Sequence, residues 1–188
     1  KRILAKLPKK RQTLLFSATF SDSIKKLSQQ FLNNPVLIET EKTNTTATTV
    51  KQWIHPVDKK QKAELLSFLI EENRWHQLLV FVRTRRGANR LSLVLEKRGI
   101  KASSIHGGKS QNARNRALAE FKSGKVHALV ATDVAARGVH VDGVELVVHV
   151  DPPVEHKSYL HRSGRTARAG ADGVVVTIAL EAQRREVK

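Results

Sequence analysis

Two spacings of apolar residues run through the chain. Short apolar blocks at 78–82, 100–105, 126–131, 145–150 and 173–179 have the length of buried strands. Between them the spacing widens to that of a helix. Leu65, Leu66, Leu69 and Ile70 follow the i, i+4 rule after Asp58, which is placed to cap that helix. A second helix runs from about Arg86 to Gly99. A third, capped by Ser110, turns Ala113, Ala117, Leu118 and Phe121 inward before Gly124 stops it. A further helix is expected between 150 and 173. Repeated strand–helix units of this kind predict an α/β fold, a doubly wound parallel sheet with helices on both faces. Ligands of such sheets bind beyond the carboxyl ends of the strands, so the residues just after each strand become the functional candidates.

The first 50 residues break this pattern. An apolar strand candidate at 13–16 is followed by Ser17-Ala18-Thr19 and a helix near 23–32, ended by Asn33-Asn34-Pro35. One strand and one helix cannot enclose a core, so residues 1–39 are expected to be the end of a preceding domain. The stretch TEKTNTTATTV at 40–50 has five threonines and one asparagine between 43 and 49 and no helical period. It reads as an extended linker. The chain starts without methionine and on charged residues, which predicts a segment of something longer.

Charge changes the picture most. Thirty-four Lys and Arg stand against 17 Asp and Glu among 188 residues, a formal charge of +17. Such an excess predicts a polyanionic partner, nucleic acid ahead of an anionic membrane, because no helix pairs a basic face with an aromatic and leucine face. Aromatic residues make up 5% of the chain, and Phe16, Phe68, Phe81 and Phe121 sit inside apolar patterns. Too few rings remain for a base-stacking platform, so the nucleic acid is expected to be held by its backbone. Cysteine is absent and the eight histidines show no metal-ligand spacing. No apolar run reaches the ~20 residues of a membrane span and no signal peptide leads the chain, so a cytoplasmic protein is expected.

Three stretches sit at strand ends. Ser17-Ala18-Thr19 doubles as a capping turn. In ATDVAARG at 131–138, Thr132 and Asp133 follow a strand directly, and Asp133 alone would serve as a helix cap. HRSGRTAR at 161–168 carries Arg162, Arg165 and Arg168 with no acid between Tyr159 and Ala171. On a helix these arginines fan over one broad face, and arginine suits bidentate phosphate recognition. Gly108-Lys109-Ser110 imitates the end of a phosphate loop, but Ser103 stands where the pattern needs glycine. The chain has no triphosphate cradle of its own.

Taken in order, SAT at 17–19, VFVRTRRGAN at 80–89, IHGGKSQNAR at 105–114, ATDVAARG and HRSGRTAR resemble the motifs of DEAD-box ATP-dependent RNA helicases, most closely the bacterial RhlE-type members. The resemblance spans essentially the whole chain. It implies two RecA-like (P-loop NTPase-type) domains: residues 1–39 end the first, 40–49 link, and 50–188 form the second, the helicase C-terminal domain. By the same resemblance Arg165 and Arg168 are arginine fingers for ATP. Ser17, Thr19, Asp133, Gly138, His140, His161 and Arg162 belong to the ATP and interdomain set, and Arg83, Gln111, Arg114 and Thr132 touch the RNA backbone. Mg2+ would be held mainly by the first domain, whose phosphate loop and DEAD tetrapeptide are missing here. A monomer without membrane contact is expected. One departure stands out: after Arg137-Gly138 the family has an apolar residue and then a ribose-binding aspartate, where this chain has Val139-His140. Neutral imidazole offers one acceptor and no charge. Two rival readings, a non-catalytic nucleic-acid-binding module and a motor acting on DNA, share the same architecture. The segment by itself is expected to bind RNA weakly and to hydrolyse nothing.

Overall fold

The computed structural model describes residues 6–8, 10–17, 21–38, 50–136, 144–153, 155–167 and 172–183. The chain divides into two compact units, Lys1–Thr45 and Thr46–Lys188. In the first, α1 (Asp22–Phe31) forms where the helix was expected and ends before Asn34, whose φ of 43° leaves the helical region. The expected strand at 13–16 does not form; residues 11–17 run without regular structure. A strand needs a neighbour for its backbone N–H and C=O groups. Phe16 is accordingly 90% exposed rather than part of a core.

The second unit is built on one sheet. β1 (Val50–Pro56), β2 (Leu78–Phe81), β3 (Ala102–Ile105), β4 (Ala128–Ala131), β5 (Leu146–His149) and β6 (Gly173–Ala179) pair in the order β1-β6-β5-β2-β4-β3, every pair parallel. β2, β4 and β5 are buried at every position because helices cover both faces. Leu78 and Val80 join one cluster with Leu66 and Ile70 of α2 (Lys62–Asn73) and Ala88, Leu91 and Leu95 of α3 (Arg85–Lys97). Leu79 and Phe81 join the opposite cluster with Ala117 and Phe121 of α4 (Gln111–Lys122) and Ala135 and Ala136 of α5 (Asp133–Ala136). Tyr159 of α6 (His156–Ser163) packs on this second cluster too.

Local chemistry sets the boundaries. Thr84 Oγ1 accepts from the Gly87 N–H at 3.0 Å and Ser110 Oγ from the Ala113 N–H at 3.3 Å, capping α3 and α4. Gly99 and Gly124 follow those helices at φ of 83° and 73°, a left-handed geometry that suits glycine. In this unit three points differ from the sequence reading. Asp58 caps nothing with its side chain: α2 starts later, at Lys62, and the Asp58 carbonyl instead accepts from the Gln61 N–H at 2.9 Å. β1 was not foreseen, because VKQWIHP lies on the sheet edge, mostly exposed, and shows neither alternation nor an unbroken apolar run. Phe68, expected inside, is 58% exposed on α2.

The layout creates a crevice at the end of β2. α3, which follows β2, packs on one face, while α5 and α6, which follow the neighbouring strands β4 and β5, pack on the other. Connections that part in opposite directions leave an opening at the strand ends between them. Buried Lys62 braces this end, donating from Nζ to the Val150 carbonyl at 2.6 Å and the Ile178 carbonyl at 2.9 Å, and burial lowers its pKa.

Candidate functional site

Arg162 and Asp133 form the fixed part of the crevice. Arg162 Nε donates to Asp133 Oδ1 and Nη2 to Oδ2, each at 2.7 Å, while Nη1 donates to the Asp151 carbonyl at 2.8 Å. Its guanidinium carbon stands 5.1 Å from the centre of the Phe81 ring, and the side chain is 5% exposed. This corrects the expected three-arginine face. α6 ends at Ser163 with Gly164 as its C-cap, so Arg165 lies in the following turn and not on the helix. Arg162 turns inward to a carboxylate from another strand end, an acid that a search between 159 and 171 could not find. Asp133 does open α5, but its carboxylate serves Arg162. Phe81, Asp133, Ala136, Ser158, His161, Arg162 and Arg165 line the cleft that remains.

Beneath the clamp lies a histidine that sequence reasoning missed. His149 is fully buried, edge-on to Phe81 and Tyr159 with ring centres 6.1 and 5.0 Å away, and Nδ1 lies 3.3 Å from Thr177 Oγ1. Its Nε2 is buried without a hydrogen-bond partner. Burial, helped by the Arg162 charge, pushes its pKa down to about 3 against the opposing pull of Asp133. A neutral imidazole adds no charge beside the clamp. Its sequence neighbours, LVVHV, mark a buried strand position, but nothing in that run reveals the arginine above it.

A basic surface occupies the ends of β2 and β3. Arg83 follows β2; its N–H donates to Asp151 Oδ2 at 2.8 Å, so one aspartate holds Arg83 through its side chain and Arg162 through its backbone. Gln111 and Arg114 share the first turn of α4, where Arg114 Nη1 donates to Gln111 Oε1 at 3.0 Å. Thr132 directly follows β4 and is 7% exposed; its carbonyl accepts from the Ala135 and Ala136 N–H groups at 3.0 Å each. Arg85, absent from the sequence-based set, lies against the glycine turn that follows β3. A Cβ on Gly107 would come within 3.6 Å of its Nη2, and one on Gly108 within 3.4 Å of its Cδ. Arg85 and Arg86 also sit in the first turn of α3, which carries no acid. Cations there oppose the helix dipole by ~0.3–1 kcal/mol, a cost an anion bound at that end would reverse.

Thr19, Gly138, His140 and Arg168 lie outside the described residues, as do Asp142 and the 40–49 linker. Ser17 belongs to the first unit. Among the described residues no cluster of three or more metal-ligating side chains forms, and no helix is long and apolar enough to cross a membrane.

The model of the helicase conserved C-terminal domain matches residues 61–170. The chain belongs to that family. It is 43% identical over 175 residues to the ATP-dependent RNA helicase CshA of Listeria monocytogenes, covering 93% of this chain and 34% of that protein. It is 39% identical over 183 residues to the ATP-dependent RNA helicase RhlB of Pseudomonas syringae, covering 96% and 46%. Among solved structures it superposes with a TM-score of 0.83 and 29% identity on S. cerevisiae Dbp5 bound to RNA and ADP BeF3, over 96% of this chain and 48% of that one. A DEAD box protein from Methanococcus jannaschii gives 0.70 at 31% identity, over 99% and 50%. The RecA-like helicase C-terminal fold and the DEAD-box family follow; the RhlE subtype does not. This helicase segment spans half or less of the length of each of these relatives.

Proposed function

We propose that the chain serves as the second RecA-like half of an ATP-dependent RNA helicase that opens short duplexes. Residues 1–39 would then end the first half and 40–49 would join the two. The supporting observation is the division of the strand ends into two surfaces that share Asp151. On one, Arg165 and His161 line a cleft whose floor is held by the Arg162–Asp133 clamp. On the other, Arg83, Arg85, Gln111 and Arg114 cluster near the starts of two helices, a setting for RNA phosphates. Arg165, with Arg168, supplies guanidinium charge to the phosphoryl group of ATP held by the other half. Mg2+ would be held mainly by that half and would help neutralise the phosphate charge there.

Arginine fingers contribute ~10³–10⁵ in rate in other phosphoryl-transfer enzymes. In the full-length protein, Arg165→Ala is expected to lower RNA-stimulated ATP turnover by ~10³ while RNA affinity is largely kept. Unchanged turnover would discard the finger assignment. Matched RNA and DNA oligonucleotides separate an RNA motor from a DNA motor: stimulation of ATP turnover by RNA alone is the expected result.

A further inference from the structure

Between β3 and the first turn of α4 the chain has two glycines and a lysine, and both hydrogen bonds that hold this turn go to one residue. His106 Nδ1 accepts from the Gly108 N–H at 3.1 Å, and the His106 carbonyl accepts from the Lys109 N–H at 3.1 Å. His106 is itself 5% exposed, so its ring position is fixed by the interior. Because Nδ1 must accept, the ring proton lies on Nε2, which sits 2.9 Å from Asn89 Oδ1. That same oxygen takes the Ser104 hydroxyl at 2.7 Å. Two donors converging on one oxygen fix the Asn89 amide, and the amide in turn fixes the histidine tautomer. Burial and the nearby Lys109 and Arg85 charges hold the imidazole below its usual pKa, which keeps it neutral.

We propose that the Asn89–His106 pair is a positioning device for RNA backbone binding. It sets the Gly107-Gly108 turn so that Arg85, from α3, and Gln111 and Arg114, from α4, face one run of phosphates. The proposal rests on the RNA reading given above. The geometry favours this role over simple packing. The pair ties α3 to the turn that leads into α4, and a Cβ on Gly108 would come within 3.2 Å of the His106 ring, so the turn is glycine where a side chain would press on the imidazole.

Two substitutions divide the ring's functions. His106→Asn places an amide oxygen near Nδ1 and keeps the Gly108 bond; His106→Gln places an amide nitrogen near Nε2 and keeps the Asn89 bond alone. With a fluorescent single-stranded oligouridylate and the whole chain, His106→Gln is expected to lose roughly fivefold in RNA affinity, the scale of one hydrogen bond, while His106→Asn, which holds the turn and gives up the Asn89 bond, loses less. Asn89→Ala, at an exposed helix position, is expected to weaken binding similarly and to shift the Gly108 amide resonance. Imidazole 15N shifts of the wild type should show Nδ1 unprotonated. Equal RNA affinity of both His106 variants, or a protonated Nδ1, would overturn the proposal. Wild-type chain that binds no RNA at low salt would overturn the RNA reading beneath it, whatever the 15N spectrum shows.

Discussion

Without the carboxylate of Asp133, the Arg162 guanidinium would keep as partners the Asp151 carbonyl and the Phe81 face, with its charge still buried. A bidentate charged pair whose acid is 44% exposed falls between surface and interior cases. Asp133→Ala is therefore expected to cost about 2 kcal/mol, read as a lower urea midpoint at unchanged slope. Arg162→Lys should recover little, since an ammonium cannot span both oxygens. His149 makes a pH prediction. Its folded pKa of about 3 lies below the unfolded value near 6.5, so the unfolded chain takes up the proton first as pH falls. Its contribution is complete above pH 6.5 and shrinks down to about pH 3. Between pH 6.5 and 5 this single group removes up to ~2 kcal/mol. His149→Leu should flatten that part of the stability curve, measured by urea unfolding at each pH.

At the scale of elements, the turn that carries Arg165 is pinned from below. Buried Thr166 donates from Oγ1 to the Val144 carbonyl at 2.5 Å, just before β5. A Cβ on Gly173, at the start of β6, would lie 2.4 Å from that Oγ1 and 2.7 Å from the Ala167 backbone nitrogen. A backbone atom cannot rotate aside, so Gly173→Ala should displace the turn and cost ~1–3 kcal/mol. Amide resonances of Arg165 to Ala167 report the displacement. Thr166→Val strands the Val144 carbonyl and should cost ~1–2 kcal/mol, whereas Thr166→Ser should not. The sequence offered no sign of this support, because Thr166 read as one position of the arginine stretch and Gly173 as the start of a strand, and the sheet alone brings Val144 beside them.

For the whole molecule, the excess of 17 positive charges would make the proposed association with RNA a counterion-release process. If Arg83, Arg85, Arg114 and Lys109 each neutralise one phosphate, log affinity should fall against log salt with a slope near −3, at ~0.7 per contact. A flat response would contradict a backbone grip. Replacing Arg85 alone should reduce the slope by about one contact.

Apolar periodicity by itself determined the strand–helix alternation, because buried strands and amphipathic helices leave opposite spacings in the chain. Ordered motifs determined the family. Tertiary structure decided the rest. The edge strand β1 has too little burial to leave a pattern. The row of arginines at 162 and 165 became one buried clamp and one cleft residue only when β4 delivered Asp133. Contacts between residues far apart in sequence carry no local periodicity, so the partners of Arg162, His149 and His106 become visible once the sheet order aligns the strand ends.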